Sequence, residues 1–193
     1  MKKKEDLRII KTKASLYRGL MNLMKNKPFE DIKISDICKV SLINRSTFYD
    51  HYNDKYELIQ SLMNDMREEL LEKLDKSKKT KNIKEYYIEL IKVLLEHINS
   101  NIDIYSAVVK INSNSIARDM MTDAIIISAA KEIDSNFENI SSIPTKTIVL
   151  YYASAIINII IDNLYNNKQF DTKELIHIIT ELTPDLDCFK PIK

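Results

Sequence analysis

Apolar residues recur three or four apart along most of the chain, the spacing of helices that turn one face to a core. The first such stripe lies within Leu7–Met24, at Ile10, Ala14, Tyr17, Met21 and Met24, and Asn26-Lys27-Pro28 ends it. Ile34 to Val40 predicts a short second helix with Ile34, Ile37 and Cys38 inward. Asn44 is expected to offer its side-chain oxygen to the first N–H groups of a third helix, Arg45 to Tyr52. Asp54-Lys55-Tyr56-Glu57 has the D-x-x-E form of a capping box, and Ile59, Leu62, Met63, Met66, Leu70 and Leu74 extend a long helix to about residue 75. After the polar run Lys76 to Asn82, helices are expected near 83–99, 103–111 and 115–137. Pro144 suits the first turn of a helix reaching about Asn166, and Asp171-x-x-Glu174 caps a last one that ends by Pro184. No segment alternates convincingly as a strand, so the expected class is all-α with about nine helices.

Composition narrows the chemistry. The 193 residues hold one glycine, Gly19, inside a helical stripe, so glycine-rich phosphate loops have no material to form from. Cys38 and Cys188 are far apart with no metal-ligand spacing, which fits a reducing cytoplasm and neither a disulfide framework nor a zinc finger. Cys38 reads as core. The N-terminus runs straight into charged amphipathic sequence, without the apolar core of a signal peptide. The most apolar stretch, Ile148 to Ile161, contains Tyr151, Tyr152, Ser154 and Asn158 and reads as a buried helix, so no membrane is expected as partner. Net charge is +1 overall, yet residues 1–55 carry +6 and residues 56–193 carry −5. The positive end is the candidate for a polyanion.

That end holds the densest pattern. Ile37 and Ile43 flank a turn, followed by Asn44-Arg45-Ser46-Thr47-Phe48-Tyr49, then His51-Tyr52 and Asp54-Lys55-x-Glu57-Leu58. With Pro28-Phe29 and the first helix, residues 5–58 resemble the DNA-binding part of the TetR family of bacterial regulators. The resemblance implies an N-terminal three-helix helix-turn-helix domain, residues 1–55, joined by the long helix to a helical ligand-binding and dimerisation domain, residues 56–193. It also implies roles by position. Phe48 and Tyr52 form the buried side of a recognition helix, Arg45 donates to a guanine edge, and Ser46 and Tyr49 share its face. Thr47 and His51 meet phosphates, and Lys55 does so from the first turn of the next helix. Asn44 completes the set, and Lys33, standing where relatives carry a Ser/Thr cap, is placed to meet another phosphate. Ser41-Leu42 replaces the family's common Ala-Gly, so Leu42 is expected to adopt a left-handed angle at a cost of roughly 1 kcal/mol. Lys2-Lys3-Lys4 is either a minor-groove arm or a solubilising tail.

Elsewhere the sequence is less specific. His97 and His177 have Glu96 and Glu181 nearby without a shared face, so no metal is expected, and no constellation supports an enzyme or calls for a cofactor. Tyr86, Tyr87, Tyr105, Met120, Met121 and Tyr152 are candidate walls of a ligand pocket, and equally ordinary core. The resemblance implies a homodimer through helices of about 145–166 and 172–182, a palindromic double-stranded DNA operator, and a small-molecule effector. The expected function is a ligand-responsive repressor. The alternative is an adaptor or coactivator that uses the same fold on a protein partner.

Overall fold

The computed structural model describes residues 7–76, 82–111, 115–166 and 171–192. Lys2-Lys3-Lys4 and most of the Lys76–Asn82 run lie outside the described residues. Among the described residues are α1 (Leu7–Met24), α2 (Ile34–Ser41), α3 (Arg45–His51), α4 (Lys55–Asp75), α5 (Ile83–Ser100), α6 (Ile102–Val108), α7 (Ser115–Asn136), α8 (Thr145–Tyr165) and α9 (Thr172–Leu182). A short 3₁₀ turn, Phe29–Asp31, follows α1. Each expected helix is present within a few residues. The expectation of no strand is corrected: β1 (Phe137–Asn139) and β2 (Phe189–Pro191) pair antiparallel, Glu138 opposite Lys190. Three residues are too few to show an alternation, and the partner lies some fifty residues away.

The caps follow local chemistry. Asp54 accepts from the Glu57 N–H at 2.8 Å, while the Glu57 carboxylate reaches back to the Asn53 N–H at 2.7 Å. Asp171 accepts from the N–H groups of Lys173 and Glu174, satisfying donors that have no partner inside α9. Helix α2 closes on Leu42, whose φ of 56° and ψ of 37° are left-handed as expected. The Ile43 N–H bonds to Cys38 O at 3.0 Å and the Leu42 N–H to Lys39 O at 3.4 Å, the two bonds of a Schellman ending made here without glycine.

One core of buried side chains runs from Leu16 and Leu20 in α1 through Phe48, Leu58 and Leu70 to Ile157 and Ile179. Helix α4 belongs to both ends. It packs on α1 near its start and on α5 and α7 near its end. Helix α8, long and apolar enough to cross a membrane, buries Val149, Ala153, Ile156, Ile157 and Ile160 and packs chiefly on α7.

Candidate nucleic-acid interface

Helix α3 is short and sharply two-sided. Phe48 is wholly buried and Tyr52 nearly so, with ring centroids 6.0 Å apart, so the helix is anchored by two aromatic side chains one turn apart. Asn44, Arg45 and Ser46 are exposed on the other side, and Tyr49 is 49% exposed while packing edge-on against Phe48 at 5.6 Å. Thr47 and His51, one turn apart, are half-buried at the flank. Lys33 is exposed just before α2. This places seven of the eight DNA-contact candidates on an accessible part of the segment that carries α2 and α3. Leu42, 91% exposed at the turn, shields nothing, so its left-handed strain has no compensating burial.

Two sequence expectations are corrected. Asn44 stands at the N-cap of α3, but its side chain makes no capping hydrogen bond, and only its carbonyl is used, accepting from the Phe48 N–H at 3.0 Å. Its amide therefore faces solvent. Lys55 does not present its ammonium to a phosphate. It donates to the carbonyl oxygens of Phe29, Glu30 and Ile32 at 2.8, 2.7 and 3.0 Å, and lies 4.8 Å from the Phe29 ring centroid. An ammonium has three hydrogens, and all three have acceptors here. Tyr56 adds a bond to Glu30 at 2.8 Å, so the start of α4 clamps the 3₁₀ turn.

Asp50, which no sequence motif marks, is an exposed carboxylate four residues after Ser46 on α3. Such a group is repelled by phosphate and can accept from the cytosine amino group in the major groove. The joint between α1 and α4 is likewise unmarked by any local pattern, since its partners lie more than forty residues apart. The Tyr17 hydroxyl is 2.9 Å from Ser61 Oγ and donates to Asp65 at 2.9 Å, and Lys13 pairs with the same carboxylate at 3.0 Å. Burial, the largest influence, raises the Tyr17 phenol and keeps it a donor. Cys38 is buried, and burial pushes its thiol up as well.

Helix α1 approaches the later helices at a second place. Lys25, just past α1, pairs with Asp103 of α6 at 2.6 Å across a cleft of about 510 Å³. Of the ligand-pocket candidates, Tyr86, Tyr87 and Tyr152 gather around one apolar crevice of about 20 Å³. Tyr105, Met120 and Met121 are buried outside it. Met120 is nine residues, about 13 Å of helix, from the crevice's Ala129, and Tyr105 packs edge-on against His97 at 5.9 Å. His97 has its carboxylate neighbour in Glu69, 3.6 Å away on α4, and not in Glu96. On α8 and α9, Leu150, Tyr151, Tyr165, Ile178 and Leu182 stay exposed, Tyr151 at 70% and Leu182 at 64%.

Comparison with known proteins agrees with this architecture. Residues 88–185 match the TetR_C_8 family, a transcriptional regulator C-terminal region. A curated relative, the uncharacterised HTH-type transcriptional regulator YxbF of Bacillus subtilis, is 36% identical over 73 residues. That stretch is 37% of this chain and 19% of YxbF, so the chain matches about a fifth of the relative's length. Among solved structures, a TetR-family transcriptional regulator from Syntrophomonas wolfei superposes with a TM-score of 0.73 at 15% identity, covering 89% of this chain and 92% of that one. Lin0861 from Listeria innocua gives 0.70 at 21% identity, covering 94% and 93%. At such identities the likeness is one of fold.

Proposed function

The chain belongs to the TetR family of transcriptional regulators, DNA-binding proteins and not enzymes, and from that premise we propose that it is a ligand-responsive repressor that binds a palindromic operator as a homodimer. The observation that carries the proposal is the two-sided α3: Phe48 and Tyr52 hold it down while Arg45, Ser46 and Tyr49 face out. A major groove admits a helix whose outer face is small and polar, and Arg45 has the forked donors that match a guanine edge. Asn44, Lys33, Thr47 and His51 are the flanking phosphate contacts. Residues 1–55 form the head, and 56–193 the regulatory and dimerising part, acting in the cytoplasm where the operator is.

The exposed apolar side chains of α8 and α9 are the surface for a second copy, and burying them twice over a two-fold axis favours a closed dimer. Two heads about 34 Å apart then meet successive major-groove faces. A small molecule that prefers one spacing of the heads shifts the population toward it, and α4 and the Lys25–Asp103 contact are the links through which the body biases the head.

Selection of bound duplexes from a random pool by the full chain tests this. A palindromic consensus bound at nanomolar concentration, weakening as salt rises, is expected. Arg45→Ala relaxes one base preference, while Tyr49→Phe weakens binding to all sequences. Enrichment of no sequence, with capture of a protein partner instead, overturns the repressor and favours the adaptor.

A further inference from the structure

We propose that the C-terminal strap, residues 183–192, is the lid of a binding site for an uncharged aromatic small molecule, walled by α5, α7 and α8; this rests on the ligand-responsive reading above. After α9 the chain turns back at Thr183, lays Leu186 and Phe189 against Tyr87, Ile133, Ile148 and Tyr152, and ends as β2 on β1. The crevice left beneath is about 20 Å³. That holds a water, whereas a cavity of roughly 150 Å³ is needed for a benzene-sized ligand, so an organic molecule enters only in place of the strap's two side chains.

The chemistry of the walls selects the ligand. Among the described residues, no charged side chain lines the crevice. Two of its three wall hydroxyls are already committed to backbone, Tyr86 donating to Ser128 O at 3.3 Å and Tyr87 to Tyr152 O at 2.9 Å. A charged guest would lose its hydration with nothing to replace it, whereas a flat apolar one meets tyrosine edges and takes the place of the Phe189 ring.

The strap is also suited to leave. It is held by a single three-residue strand pair, by the Ile140 N–H to Cys188 O and the Ile192 N–H to Asn136 O bonds, both 2.9 Å, and by an ion pair of Lys84 with exposed Asp185 at 3.3 Å. A two-stranded ribbon of three residues a side sits at the low end of local stability. The Tyr87–Tyr152 bond ties α5 to α8 directly under it, and α5 and α7 both pack on α4. A guest in the crevice therefore presses on the helix that leads to the head.

The test locks the lid without touching the walls. In a Cys188→Ser background, Glu138→Cys and Lys190→Cys stand opposite each other on the exposed side of β1 and β2, within disulfide reach for an antiparallel pair. Binding of N-phenyl-1-naphthylamine, a neutral aromatic probe, is followed by its fluorescence in the full chain, with thiol titration reporting closure. The reduced protein is expected to bind at least tenfold more tightly than the oxidised one, and Phe189→Ala in the natural chain to bind more tightly still. Equal binding by reduced and oxidised forms overturns the lid, and no binding by Phe189→Ala overturns the site. Release of operator DNA by the probe is scored separately: lid-gated binding without release upholds the lid and overturns the regulatory reading.

Discussion

The ammonium of Lys55 sits 2.8 Å from the carbonyl oxygen of Phe29, and the carbonyls of Glu30 and Ile32 complete its shell. The first residue of α4 thus closes the turn between α1 and α2, which fixes where α2 and α3 lie. Lys55→Ala should destabilise the free protein by about 2 kcal/mol, the scale of lost charge-assisted hydrogen bonds at a partly exposed site, or roughly 5 °C in Tm. Lys55→Arg should recover only part, because a planar guanidinium cannot converge on three carbonyls. Thermal unfolding without DNA decides the matter. An unchanged Tm, with a salt slope of DNA binding reduced by about one, would return Lys55 to the phosphate contacts.

Gly19 faces the end of α2 so closely that a β-carbon built on it would meet Ser41 Oγ at 2.0 Å and Ser41 Cβ at 3.2 Å. Gly to Ala in an open helix gains about 1 kcal/mol. Here Gly19→Ala should instead cost 1–3 kcal/mol through overpacking. Ser41 Oγ is buried without a hydrogen-bond partner, so Ser41→Ala should stabilise by about 1 kcal/mol. In the double variant the two effects should fail to add, with Gly19→Ala costing less than it does alone. Urea titration of all four proteins measures that coupling.

What could be read along the chain was what is local. The three-and-four spacing locates every helix, and the stretch from Asn44 to Tyr52 separates buried Phe48 from outward Arg45, because both facts are written within two turns. What escaped depends on partners distant in sequence. Lys55 reaches back 26 residues to Phe29, His97 finds Glu69 and not the adjacent Glu96, and β1 waits for a strand near the far terminus. Asn44 shows the opposite limit. Its residue type and position suit a cap, yet the helix closes through backbone alone and leaves the amide outward.

Asp50 is the one acidic side chain in α3, exposed one turn beyond Ser46. Facing DNA, it is repelled by every phosphate and rewarded only where an amino group, such as that of cytosine, can donate to it. Asp50→Ala should therefore strengthen binding to random-sequence DNA and reduce discrimination at one operator base pair by about 1–3 kcal/mol. Titration of selected and scrambled duplexes at one salt concentration checks both. A variant that loses affinity equally for the two would show that Asp50 supports the fold of the head and reads nothing.

His97 lies wholly buried where α4, α5 and α6 meet, its Nδ1 3.6 Å from Glu69 and 3.3 Å from the Lys73 ammonium, its ring edge-on to Tyr105. Burial, the largest influence, lowers its pKa below the ordinary 6.5; Glu69 opposes that and Lys73 adds to it. The sign of the pH effect follows. The unfolded chain takes up a proton near 6.5 while the folded imidazole stays neutral to lower pH, so the unfolded state binds more protons in that interval. The stability His97 contributes is present above 6.5 and is lost as pH falls through the folded value. Glu69, held low by its hydrogen bond from Lys73, gives up its own contribution only at more acid pH, as it titrates below the ordinary carboxylate range. Tm should be lower at pH 5.5 than at pH 7.5, and His97→Phe, which keeps an aromatic ring against Tyr105 but cannot titrate, should narrow that gap. Glu69→Gln, which removes the carboxylate supporting the imidazolium, should widen it. Scanning calorimetry of the three proteins at both pH values measures the effect, and a His97→Phe gap as wide as that of the natural chain would place the acid sensitivity elsewhere.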